Sequence, residues 1–252
     1  MIHGMLTVSA ISLLASVALA QGTDAKAPVP GAPAETVVQP ASIAPDAQLI
    51  VDQYINATGG RSGWAELKTL QGNGSVALPA ASIAGTASVM MSRDLYRRTF
   101  IMSGGPIKEA MIETGRTGDV VWQLTGESEQ YTGKLVEGVE RQRQVRLFQF
   151  NQLLDLEKHF LRVEVVDVEE VEGEPAMKVL MVPREAPDSR EYRYFDQKTN
   201  YIVRTVTETP GRPPQESRFS SYRKVGPVRL HTETKIMTGN TVLMMIVINN
   251  MK

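Results

Sequence analysis

The chain has no cysteine among its 252 residues, only three histidines, and aromatic side chains at 6%. Without cysteine there is no disulfide framework, no thiol nucleophile, no Cys-x-x-Cys zinc pair and no N-terminal cysteine to carry a lipid. His3, His159 and His231 stand far apart, and neither a His-x-x-x-His pair nor a Gly-x-Ser-x-Gly elbow occurs. Nothing here points to a zinc hydrolase or a Ser-His-Asp hydrolase, and no catalytic residue, metal or cofactor is expected. An excess of one charge is missing too: 27 basic and 28 acidic residues leave a net charge of −1. Interspersed charges of both signs exclude the basic stripe of a nucleic-acid binder and disfavour non-specific adhesion to anionic lipid.

What is present begins with a run of apolar or small residues, Leu6 to Ala20, closing with Ala18-Leu19-Ala20 before Gln21. That small-x-small ending reads as an export signal over residues 1–20, cleaved near Ala20, with a periplasmic destination. The alternative is a short membrane anchor, but the run falls short of the ~20 residues that span a bilayer. Residues 21–45 are dense in Ala and Pro, without periodicity, and are expected to form a disordered tether. Residues 46–252 are enough for one domain with a real core.

Periodicity places the elements of that domain. Ala47, Ile50, Val51, Tyr54 and Ile55 share one helical face, with Asp46 as a candidate N-cap and Gly59-Gly60 as the stop. A short helical turn around Trp64 follows. From Leu70 the pattern changes to period two, interrupted once by a helical stretch from about 135 to 158. The front of that stretch is rich in arginine and reads as a solvated face; its back carries Leu147, Phe148, Phe150, Leu153, Leu154 and Leu156. The predicted order is therefore helix, four or five strands, a helical insert, then about six strands. The fold class is mainly β (α+β): one large antiparallel sheet that must curl into an incomplete barrel, its concave face covered by two or three helices.

Four phrases carry a family resemblance: Tyr54-Ile-Asn-Ala-Thr-Gly-Gly60, Gly115-Arg-Thr-Gly-Asp-Val-Val-Trp122, Tyr194-Phe-Asp196 and Tyr222-Arg-Lys-Val-Gly226. In this order the chain resembles a divergent branch of the outer-membrane lipoprotein-sorting proteins, the LolA-like and LolB-like periplasmic carriers. The resemblance implies a non-enzymatic carrier whose lidded half-barrel holds acyl chains in an apolar cavity, with lipid or acylated protein as partner.

Methionine gives separate support, because ten of the twelve lie beyond residue 46 and flexible thioethers suit adaptable apolar sites. The ligand-binding residues expected are Trp122, Phe148, Leu154, Met177, Met181 and Met245. Trp122 shares a strand face with Val120 and is expected to be buried. His231 alternates with Leu230 and is expected to face solvent, and His159 to sit as a cation at a helix C-terminus. The acids from Glu164 to Glu174 lack the spacing of a calcium loop and read as a solvated, charged hairpin. Two other functions remain open. One is an envelope assembly protein that docks a partner through its apolar last strand, Val242 to Ile248, by strand addition. The other is an envelope hydrolase with paired carboxylates in a cleft. The chain is expected to be monomeric, with envelope proteins as further partners and contact with a membrane at most peripheral.

Overall fold

The structure, a computed structural model, describes residues 40–105, 107–128 and 130–252. The expected signal segment and most of the expected tether lie outside the described residues. Regular structure opens with β1 (Ser42–Ile43), upstream of the Asp46 boundary expected from composition. It continues with α1 (Pro45–Ala57), α2 (Gly60–Glu66), β2 (Thr69–Leu78), β3 (Ile83–Ser92), β4 (Leu95–Gly104), β5 (Ile107–Thr117), β6 (Val120–Glu127) and β7 (Gln130–Val136). A helical insert of α3 (Gly138–Leu147), a 3₁₀ turn (Gln152–Asp155) and α4 (Leu156–His159) follows. The second half is β8 (Phe160–Val171), β9 (Glu174–Pro183), β10 (Arg190–Asp196), β11 (Ile202–Glu208), β12 (Gln215–Val225), β13 (Val228–Thr238) and β14 (Thr241–Met251).

All fourteen strands join one sheet in the order β1-β8-β9-β10-β11-β12-β13-β14-β2-β3-β4-β5-β6-β7. Every neighbouring pair is antiparallel except β1 with β8. Because β14 pairs with β2, the two halves form one continuous surface that stops at β1 and β7, and the barrel is incomplete as expected. That pairing also corrects one expectation. The last strand is engaged on both edges, by β13 and β2, and has no free edge for strand addition.

Helix α1 buries Ala47, Val51 and Ile55, with Ile50 and Tyr54 beside them, as the periodicity predicts. Asp46 is not its N-cap: Ala44 holds that position, Pro45 opens the helix, and Asp46 accepts a hydrogen bond from the Ala47 N–H at 2.8 Å. With Trp64 of α2, this face packs on Val163, Val179, Met181, Phe195 and Val228, which places the main core under α1 at the β8–β10 side of the concave face. Gly59 turns the chain between the helices at φ 125°, and a Cβ there would lie 2.6 Å from Pro227 O, so the helix pair docks directly on the β12–β13 turn.

Small residues line the inner face of β2 and β3. Gly72 and Gly74 on β2 share the parity of buried Val76, and Gly85 on β3 that of Ile83 and Ala87. A Cβ on Gly74 would sit 1.8 Å from Val247 O of the next strand. Strands approach this closely at barrel corners, where glycine leaves room for the backbone. Replacing Gly74 with alanine is expected to push β2 and β14 apart and cost about 2 kcal/mol, read as a lower urea midpoint with an unchanged slope.

Candidate functional site: an interior cavity with two kinds of wall

Between the concave face and the helical insert lies a cavity of about 580 Å³, within the roughly 300–1,000 Å³ of small-molecule sites. Strands β3, β4 and β14 give it an apolar wall of Val89, Met91, Phe100, Ile246 and Ile248. Strands β11 to β13 give it a polar wall, where Thr205 pairs across strands with Ser217, Thr207 pairs with Gln215, and Thr232 and Thr234 follow. The change occurs along β13, whose inner parity reads Leu230, Thr232, Thr234, Ile236.

The insert covers part of the cavity, but not as one helix. Helix α3 ends at Leu147, and Asn151 starts a new turn by accepting the Leu153 N–H on its Oδ1 at 3.0 Å. Between them Phe148 stacks on Tyr96 of β4, rings parallel and 4.0 Å apart. Leu147, 40% exposed, lies at the rim.

What holds the insert down is a buried charge cluster that the sequence pattern concealed. Arg146, in the arginine-rich stretch expected to be solvated, is only 3% exposed. Its Nη2 lies 2.5 Å from Glu191 Oε1 on β10 and 2.8 Å from Glu185 Oε1, while Nη1 donates to Gln152. Arg193 approaches the same Glu191 at 3.4 Å. Burial opposes the ionisation of Glu191, but Arg146 outweighs it and holds the carboxyl below the usual range.

Both described histidines depart from expectation. His159 is buried, its Nε2 3.0 Å from Gln149 Oε1, and burial, aided by Lys158 and Arg146, lowers its pKa to about 4. It is neutral at pH 7, not a cation at a helix end. His231 lines the cavity instead of facing solvent. Ser221, next to Tyr222 in β12, takes φ 57° and breaks the alternation, so Tyr222 and its cross-strand partner His231 gather with Phe219. The His231 ring is 4.5 Å from that of Phe219 and 5.8 Å from that of Tyr222, and burial lowers its pKa to about 4.

Of the six expected ligand-binding residues, Phe148 lies on the cavity wall. Met181 is fully buried in the core under α1, and Leu154 and Met177 pack against the same core. Met245 has the opposite strand parity to Met244, Ile246 and Ile248 and belongs to the outer face. Trp122 also lies outside: Val121 is its buried neighbour, Val120 is exposed, and the indole covers Gly115, where a Cβ would fall 2.0 Å from Cζ2. The acidic hairpin of β8 and β9 is paired, Glu169 with Lys178 and Arg204, and Glu172 with Arg218.

No protein-family model and no curated protein sequence matches the chain. Solved structures match its fold. A domain from Vibrio parahaemolyticus named for outer membrane lipoprotein sorting superposes with a TM-score of 0.52 at 8% identity, over 81% of this chain and 91% of that one. A LolA superfamily protein of Nitrosomonas europaea aligns at 10% identity over 82% and 92% of the two chains, with a TM-score of 0.48. At such identities the likeness is one of fold, and at that level it bears out the resemblance read from the motifs.

Proposed function

We propose that this chain, which carries the fold of an outer membrane lipoprotein-sorting domain, is a non-enzymatic periplasmic carrier or binding protein for lipoprotein acyl chains or another apolar ligand. The observation that carries the reading is the cavity itself, roofed by a separate helical insert and walled on one side by aliphatic and aromatic side chains. Moving an acyl chain from water onto that wall gains roughly 0.8 kcal/mol per methylene, with no chemistry required. The volume suits one lipid-sized ligand. Delivery and release then fall to movement of the insert and to partner proteins of the envelope. The Leu6–Ala20 segment supports export, and among the described residues no helix is long and apolar enough to cross a membrane.

Titration of the full chain, exported and purified without detergent, with a fluorescent acyl probe tests this. Micromolar binding is expected, together with co-purifying lipid in native mass spectra. Ile246→Glu, which places a charge on the apolar wall, is expected to weaken probe binding at least tenfold while circular dichroism is unchanged. A chain that takes up no acyl probe and carries no lipid would sink the reading.

A further inference from the structure

The inner face of β4 to β6 carries a polar row inside the apolar part of the cavity: Arg98 pairs across strands with Thr114, and Thr114 with Gln123. Its surroundings are Phe100 and Ile112 on one side and, on the other, Phe148 and Tyr96 with its cross-strand partner Arg116, whose buried guanidinium donates to Arg93 O at 2.6 Å. A cation there needs a reason, since a charge against apolar walls costs free energy unless it is paired.

The other charged groups of the cavity are already matched. Glu191 is held by Arg146 and Arg193, and Glu140 lies 3.6 Å from Arg143 and accepts from Gln144 Nε2 at 2.9 Å. Arg98 has no ion pair among the described residues; its guanidinium rests over the Phe100 ring at 5.1 Å. Its neighbour in sequence, Arg97, faces the other way and is paired with Glu113 at 2.7 Å, so the contrast is between faces and not between ends of the strand. The cavity thus holds three guanidinium groups against two carboxylates.

A second, independent observation falls on the same row. Gln123 is 5% exposed and Gln144, on α3, 6%, yet Oε1 of each is buried and accepts no hydrogen bond from the protein. Helix α3 packs on β6, so both amides border the same end of the cavity as Arg98. Buried polar atoms left unpaired in a folded protein point to a partner from outside the chain. The Gln123 amide can turn to offer either its oxygen or its N–H₂, and with the Thr114 hydroxyl the row can serve both the anionic oxygens and the hydroxyls of a headgroup.

We propose that the ligand is an anionic amphiphile, a single acyl chain ending in a carboxylate or phosphate headgroup whose oxygens are bound by Arg98 with Thr114 and Gln123, its chain lying along Ile236, Ile246 and Ile248. This rests on the carrier reading and narrows it from any apolar ligand to a charged one.

The test compares headgroups on one chain. Oleate, oleoyl lysophosphatidic acid, oleyl alcohol and monoolein are titrated into the full chain, with inorganic phosphate alone as a control. At least tenfold tighter binding of the two anions than of the two neutral lipids is expected, falling as salt is raised. Whichever of oleate and the lysophosphatidic acid binds tighter identifies the carboxylate or the phosphate as the natural head. Arg98→Met is expected to bring the anions down to the affinity of the alcohol and leave the alcohol unchanged; Arg98→Lys should keep most of the preference. Equal binding of anion and alcohol by the unaltered chain, or a preference that survives Arg98→Met, overturns the headgroup assignment and leaves the carrier reading standing. Inorganic phosphate binding as tightly as the lysophosphatidic acid overturns it as well, since the acyl chain would then contribute nothing. Failure of all four lipids to bind removes both readings. The ratio measured on the unaltered chain decides even where Arg98→Met does not fold.

Discussion

Replacing Arg146 with methionine is expected to destabilise the folded chain by about 3–5 kcal/mol, because it breaks a buried ion pair from one side only. Methionine fills much of the space, so the loss is of charge and hydrogen bonds. Glu185 and Glu191, with side chains 8% exposed, would keep their burial, and Glu191 would retain Arg193 alone at 3.4 Å. Arg146→Lys keeps the charge but gives up the fork that reaches both carboxylates and Gln152, so it should recover only part of the loss. Adding Glu191→Gln to Arg146→Met relieves the stranded carboxylate and is expected to recover stability, a non-additivity that a double-mutant cycle in urea measures. A loss below about 1 kcal/mol would match an exposed pair and contradict the buried cluster. Since the cluster ties α3 to β10, the variant should also admit an acyl ligand faster.

The motifs that carried the resemblance turn out to be matters of turn and strand chemistry. Gly115 and Trp122 are cross-strand partners, with the indole over the glycine. Asp196 closes the β10–β11 turn by accepting the N–H and hydroxyl of Thr199, at 2.7 and 2.6 Å. Gly226 takes φ 55° at the β12–β13 turn, and Tyr222 donates its hydroxyl to Ile202 O. Such devices are local, so a sequence displays them, and with strand periodicity they were enough for the curled sheet. Alternation predicts fewer strands than the seven before the insert, the two-residue β1 included, and the seven after it, because it is weak where Gly72, Gly74 and Gly85 replace side chains.

The cavity was much less legible. Its polar wall occupies inward positions, and Thr205 or Ser217 on a strand reads as a solvent-facing residue unless the parity of the whole strand is followed. The signal that existed was Leu230, Thr232, Thr234 and Ile236 on one parity of β13, polar residues within a buried face. Composition assigns Met177 and Met181 to the ligand, but it cannot separate a residue beneath α1 from one beneath the insert. Arg146 and Glu191 lie 45 positions apart in the chain, and no local pattern links them. Arg98 is flanked by Arg97 and Thr99. Only the strand register shows that one arginine meets a carboxylate on the outer face and the other an apolar cavity.

Acidification is expected to unfold this protein earlier than its net charge suggests. His159 and His231 have pKa values of about 4 in the folded chain, against 6.5 when unfolded. The unfolded chain therefore binds protons first, and stability falls as pH drops below 6.5, reaching its full loss below about 4. Over that window each histidine costs the fold about 3 kcal/mol, by the 1.36 kcal/mol carried by each pKa unit. Glu191 acts in the same direction but lower. Its pKa is depressed from 4.5, so its contribution is intact above that value and is lost as pH falls through the folded value. Between pH 6.5 and 4.5 the histidines thus govern, and urea midpoints at pH 7.0 and 4.5 isolate them. The double variant His159→Gln, His231→Gln should lose more than half of the difference between the two midpoints. The single variants apportion it between the insert, which His159 anchors through Gln149, and the cavity wall, where a protonated His231 would place a cation against Phe219 and Tyr222. Equal midpoints at the two pH values in the unaltered chain would show that both rings are accessible to water. His231 would then be a surface residue, and the cavity wall would have to be drawn without it.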